Sequence, residues 1–263
     1  MAEEKIRLGG MALANGVLVH GPSAWACAVR LPDGELRVAS GYKRLRAAEV
    51  RHPLLRGPAR LLEAFALLPE LKRRLPAARL PFERPKVAAT MLASAAAVRL
   101  VRTSDRLGAA VRELASGLLA LVPAVVALRG SELSAYHGAE HVSIGSYEHG
   151  EKRGKEHERC GSHLVGPLLA TTAIGNLLAA RAPLAVRGIA RTVAGIGALA
   201  VSTEIFAWMI RHPDSTVSRA LAKPGHALQH RLATSAPTAQ QLEVAEAALR
   251  ECLRLEHGGE NSD

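Results

Sequence analysis

The sequence predicts a mainly α protein: a polytopic helical membrane bundle of about four helices, with a small β-hairpin region at its N-terminal end and an amphipathic helix near its C-terminal end. Three observations lead there. Of the 263 residues 48% are hydrophobic but only 3% aromatic, so the apolar mass is Ala, Leu and Val, a composition that suits closely approaching helices. Four apolar stretches, 87–101, 107–128, 164–182 and 188–210, approach the ~20 residues that a spanning helix requires. The net charge is +10, and 27 of the 34 basic residues lie outside those stretches and the turns within each pair, the asymmetry expected when one side of a membrane is positive.

The elements follow in chain order. Residues 1–46 read as β structure. "WACAVRLPDGELRVAS" holds two short runs joined by Pro32-Asp33-Gly34, where Pro fixes φ and Gly accepts φ > 0, so a hairpin is expected. Upstream, "LGGMALANGVLVHGP" predicts one more strand at its Val-Leu-Val run. Residues 47–86 form a basic amphipathic helical segment, broken by Pro69, Pro76 and Pro81. The helical core spans 87–210 and carries a charged loop at 131–163. After Arg211-His212-Pro213 a linker leads to "TAQQLEVAEAALRECLRL", whose Leu242, Ala245, Leu249 and Cys252 share one helix face. The end, "EHGGENSD", is polar and expected to be disordered.

Composition also narrows the partners. The basic surplus calls for an anionic surface, but three Phe, three Tyr and two Trp offer little to stack on bases, so membrane lipids are favoured over nucleic acid. Cys27, Cys160 and Cys252 are odd in number and far apart, which implies no disulfide framework and a reducing compartment. The opening "MAEEKIRLGG" lacks the apolar core of a signal peptide, so the N-terminus is expected in the cytoplasm. Four spans then put the N-terminal region, the 131–163 loop and the C-terminal region on the cytoplasmic side of a bacterial inner membrane. Self-association into a homo-oligomer stays open.

Five of the eleven histidines fall within Ala135–Leu164. His137, Glu140 and His141 form H-x-x-E-H; on a helix both imidazoles lean to one face and can share a metal ion, with Glu140 beside them as general base. This inverts HExxH and is the inverzincin pattern. Glu148 lies on the same stripe but about 10 Å further along, unless Gly145 breaks the helix and returns it. Downstream, His157 and Cys160 form H-x-x-C, another zinc spacing. Neutral His and thiolate suit a borderline divalent metal such as zinc. Glu204, inside the apolar "ALAVSTEIFAWMI", needs either a metal or a partner such as Arg112 or Arg191.

These residues together resemble the YqhQ-like family of bacterial membrane proteins. The likeness runs through "GGMALANGVLVHGPSAWACAVRLPDGEL", "RHPLLRGPARLLEA", "YHGAEH", "YEHG", "HERCGS" and "KPGHALQHRLATSAPTAQQLEVAEAAL", in that order. It implies a polytopic membrane protein and a metal-dependent enzyme of no established reaction, with His137, Glu140, His141, Glu148, His157, Cys160 and Gly161 as signature positions and Glu204 in the penultimate helical block. The chain departs from the family at Asn15, usually acidic, and at His20, usually Arg.

Two functions therefore compete closely. One is a membrane-embedded zinc hydrolase with metal on His137, His141 and a third ligand, and Glu140 as base. The other is a scaffold with a closed structural zinc site of His137, His141, His157 and Cys160. A basic soluble RNA- or ribosome-associated protein is the third reading.

Overall fold

Alternation with period two governs the N-terminal part of the chain. In a computed structural model that describes residues 5–104 and 106–259, strands β1 (Gly9–Leu13), β2 (Gly16–His20), β3 (Ala24–Arg30) and β4 (Leu36–Tyr42) form an antiparallel meander in sequence order. The hairpin expected around Pro32-Asp33-Gly34 is β3–β4, with Gly34 at φ +87° and Gly34 N donating to Leu31 O at 2.9 Å. The single upstream strand expected is in fact two. β1 and β2 turn at Ala14-Asn15, and the Asn15 amide fixes the turn by donating to Ala77 O and accepting from Arg79 N.

Both faces of this sheet are covered. Val17, Val19, Ala26 and Ala28 face one side, where they pack with Tyr136, Ala139, Val244, Ala248 and Cys252. Leu18, Trp25, Cys27 and Val29 face the other, against Leu67, Leu68, Leu71 and Leu80. Pairing of Val17 with Ala28 and Leu18 with Cys27 keeps each set in register, so a one-residue slip would exchange the two cores. The sheet thus separates helix α1 (Pro53–Arg74) from α4 (Glu132–His149) and α8 (Ala239–Gly259).

Pro69 does not break α1, which runs on to Arg74, just short of Pro76. Pro69 lies on the exposed face, where its ring and the carbonyl it frees meet no packed neighbour. In α8 the buried stripe is centred on Val244, Ala248 and Cys252, with Leu242 at its edge. The helix also continues into the segment expected to be disordered: Glu256 is buried and accepts from Ser23 N, Ser23 Oγ and Ala24 N, pinning α8 to the β2–β3 turn. Residues 260–263 of that segment, like Met1–Glu4 of the acidic start, lie outside the described residues.

The apolar stretches become helices α2 (Pro85–Thr103), α3 (Ala109–Leu128), α5 (Val165–Ala179) and α6 (Arg187–Arg211). Three described segments, Ala109–Leu128, Gly161–Ala179 and Leu184–Arg211, are long and apolar enough to cross a membrane, and no more than 22% of each is buried. Helix α2 falls short of that standard because Lys86, Arg99 and Arg102 interrupt it, although it packs along α3. In place of the expected linker stands α7 (Thr216–Leu228), which ends in a π turn, Gln229–Ala233. The sheet, α4 and α8 share one core, so the chain leaves that body and returns to it twice, through α2–α3 and through α5–α6.

Candidate metal centre

Helix α4 exposes almost nothing at the H-x-x-E-H turn: Glu140 and His141 are buried and His137 is half-buried. Gly138 permits this, because a Cβ there would lie 2.1 Å from the Ser235 carbonyl. His137 Nδ1 is 2.9 Å from Ala233 O and His141 Nδ1 is 2.7 Å from Lys155 O. A carbonyl only accepts, so both rings carry their proton on Nδ1 and turn a bare Nε2 inward. Cys160, on the loop that returns after α4, places Sγ 3.5 Å from His137 Nε2. Donor atoms of His137, His141 and Cys160 all lie within 4.8 Å of one another. Tetrahedral zinc, with Zn–S of ~2.3 Å and Zn–N of ~2.0 Å, sets N···S near ~3.5 Å, so the donors fit such an ion in type and spacing. The carbonyls that orient both rings supply the outer support such sites require.

The other candidate residues stand apart from this trio. Gly145 does not break α4, which runs to His149 and stops at Gly150, φ +72°; Gly145 instead lets the returning loop pack close, with His157 and Arg153 atoms 3.3 Å from where its Cβ would be. Glu148 therefore stays up the helix, paired with Arg159 and 3.2 Å from His157 Nε2. His157 Nδ1 accepts from Arg159 N at 3.1 Å, so both nitrogens of His157 are engaged, and burial holds the ring below the ordinary imidazole range. Glu204 is held on another helix pair: Arg56 of α1, rather than Arg112 or Arg191, donates to both its oxygens at 2.7 and 2.5 Å.

Glu140 lines a cavity of about 190 Å³ together with His137, His141, Cys160, Gly10 and His20. A Cβ on Gly10 would lie 2.3 Å from Glu140 Oε1, so the carboxylate lies directly against the backbone of β1. Burial pushes its pKa up, and His137 and His157 pull it part of the way back. A carboxylate moved in that direction is a stronger base.

Several residues of the centre carry no sequence motif. His20 Nδ1 is 3.0 Å from Lys43 Nζ, which also bonds Glu63 at 2.6 Å in a buried pair. The ammonium can only donate, so His20 carries its proton on Nε2. Burial, then Lys43, lowers its pKa to about 4, which keeps the ring neutral. Gln229 is fully buried: it accepts from His157 N and donates to His157 O and Ser162 Oγ, fastening the loop that carries Cys160. Ala233, Lys155 and Gly10 act through backbone. Such contacts join residues far apart in the chain, and only the π turn, a frequent mark of functional sites, is itself local. The other thiols are not available as donors: burial pushes Cys27 up and Cys252 up to about 12.

Fold and site together define a class: a mainly helical protein with three membrane-capable helices among the described residues, in which α4 and the loop after it hold a His₂Cys group that could bind a metal ion, beside a buried carboxylate. The chain belongs to DUF1385, a family described as proteins of unknown function, which matches residues 118–255. The match includes all three donors and Glu140, whereas the β1 and β2 residues that close the cavity lie outside it. No curated protein and no solved structure matches the chain.

Proposed function

We propose that the protein is a membrane-embedded, metal-dependent hydrolase, with zinc as the metal. The observation that carries this reading is the open side of the donor trio: two imidazole nitrogens and the Cys160 sulfur converge, and what faces them is a cavity with Glu140 on its wall, with no fourth member of the group among the described residues. Catalytic zinc sites keep such a position, whereas structural sites fill it. A metal bound there supplies Lewis-acid activation of water and of a substrate oxygen. The chain's own residues do the rest. Glu140 takes the proton from water, Gly10 leaves it room, and His20 offers a neutral Nε2–H to charge developing on a substrate oxygen.

The membrane setting is the bacterial cytoplasmic membrane, with lipids around α3, α5 and α6 and the sheet domain on the cytoplasmic side. Exposed Leu118, Val122, Ile174, Leu178, Val193 and Ile196 support it, since an apolar surface of that extent needs a cover. The basic residues near the sheet domain support the side, and the YqhQ-like resemblance supports the bacterial origin. An even number of crossings between β4 and α4 is required for both to share a core, so α2 crosses as α3's partner, its Lys86, Arg99 and Arg102 lying toward its ends.

The scaffold reading requires His157 as fourth ligand, and both its nitrogens are taken. Metal analysis of detergent-purified protein with X-ray absorption separates the two: three protein donors plus an oxygen donor are expected, and four protein donors would favour the scaffold. Glu140→Gln is expected to keep the metal and the fold while complementation of a deletion strain collapses, a general base contributing ~10²- to 10⁴-fold. Full complementation by Glu140→Gln would remove the catalytic reading.

A further inference from the structure

A second, larger cavity of about 850 Å³ lies between the N-terminal segment around Arg7, the end of α4, and the corner where α6 meets α7. Its two halves differ in chemistry. Phe206, Met209 and Ile210, from the last turns of membrane-capable α6, give it an apolar side. Arg7, Arg159 and Arg219 give it a cationic one. Arg7 and Arg219 are exposed, and their guanidinium groups make no hydrogen bond or ion pair among the described residues. The two acids of the lining are already engaged, Glu148 with Arg159 and Glu158 with His149 at 3.2 Å.

A third feature points to a ligand. Ser218 is buried, 3% exposed, lines this cavity, and its Oγ has no partner among the described residues. It sits in the first turn of α7, whose N-cap Ser215 makes no side-chain bond to the free N–H groups. Like-charged guanidinium groups, an open helix N-terminus and an unsatisfied buried hydroxyl each gain from the same occupant, an oxyanion with several acceptor oxygens. The apolar side, continuous with a membrane-facing helix, adds a hydrocarbon chain to that description.

We propose that this cavity binds an anionic lipid, its phosphate monoester headgroup held by Arg7, Arg159, Arg219 and Ser218 and its chain laid along Phe206, Met209 and Ile210. The site is separate from the metal chemistry and does not require it. Arg159 lines both cavities, so an occupant here touches the wall of the metal centre.

The test uses the full chain in a neutral detergent, stripped of metal with a chelator, and short-chain phosphatidic acid as probe, followed by calorimetry or native mass spectrometry. Saturable one-to-one binding is expected, at least tenfold tighter than short-chain phosphatidylcholine or inorganic phosphate. The Arg7→Gln/Arg219→Gln double variant, whose side chains hold nothing else in place, should lose tenfold or more. His137→Ala should bind as the wild type does, so failure of the metal proposal leaves this one standing and the reverse also holds. Equal binding of phosphatidylcholine would overturn the headgroup assignment. Inorganic phosphate binding as tightly as the lipid would overturn the hydrocarbon half and leave a free-phosphate site. An unchanged double variant would overturn the location.

Discussion

The hydrogen bond between His137 and Ala233 can be tested without a known substrate, through Gly138→Ala. A Cβ at this position would stand 2.1 Å from the Ser235 carbonyl oxygen, and ordinary contact begins near 3.4 Å, so the backbones of α4 and the 233–235 segment must separate by about 1.3 Å. That movement stretches two bonds across the same seam, His137 Nδ1 to Ala233 O and Ser235 N to Ser134 O, each 2.9 Å, beyond hydrogen-bonding range. At ~1 kcal/mol each, their loss exceeds the ~1 kcal/mol that Ala gains over Gly inside a helix. A net destabilisation of roughly 1–3 kcal/mol is expected once the clash is added. Loss of the carbonyl that orients a ligand imidazole commonly weakens metal binding by ~10- to 100-fold. Competition between the purified protein and a chelator for Zn(II), or the Co(II) absorption bands, measures that change. Gly154→Ala is the control, since it lies in the loop beside the centre with no atom within 4 Å of its Cβ position. If Gly138→Ala binds metal within threefold of wild type, the oriented-imidazole argument fails.

Gly10→Ala should drive Glu140 from its seat against β1 and reproduce the loss of complementation of Glu140→Gln with the metal content intact; loss of the metal as well would mean that β1 supports the ligands. Lys43→Met leaves Glu63 buried without its cation and is expected to cost ~3–5 kcal/mol, with the Lys43→Met/Glu63→Met double variant recovering part of it; thermal unfolding in detergent reads both. Acid stability carries a sign set by His20. Its pKa falls from 6.5 unfolded to about 4 folded, so the unfolded chain takes up the proton first, and stability present above pH 6.5 is lost as pH drops toward 4. By pH 5 that loss has reached about 2 kcal/mol, and His20→Gln should flatten this part of the curve; an unchanged slope would show that His20 is not held neutral.

Local chemistry made much of the architecture readable. Pro32-Asp33-Gly34 announces its hairpin because the turn geometry is encoded in three residues. The apolar runs announce α2, α3, α5 and α6, and H-x-x-E-H with Cys160 announces the three donor side chains that converge because their spacing is a property of one helix and one loop. What escaped depends on neighbours distant in sequence. Pro69 sits in mid-helix because its face is exposed, Glu204 is paired with Arg56 from 148 residues away, and burial followed by Lys43 keeps His20 neutral. β1 was hidden because its glycines and Met11-Ala12-Leu13 lack the β-branched signature of strands, and α7 because its Pro224 and Gly225 read as breakers.

The contact between His137 and Ala233 spans 96 residues, and between them the chain runs out and back through α5 and α6. Ribosomes release a polypeptide from its N-terminal end, so H-x-x-E-H emerges long before the carbonyl that sets its tautomer. Until α5 and α6 have folded and the π turn has docked, the Ala233 carbonyl is not there to fix the His137 ring. On the proposed metal function, capture with full affinity would be a late event in the life of a nascent chain, since it would follow the return of the chain through α5 and α6 to the sheet.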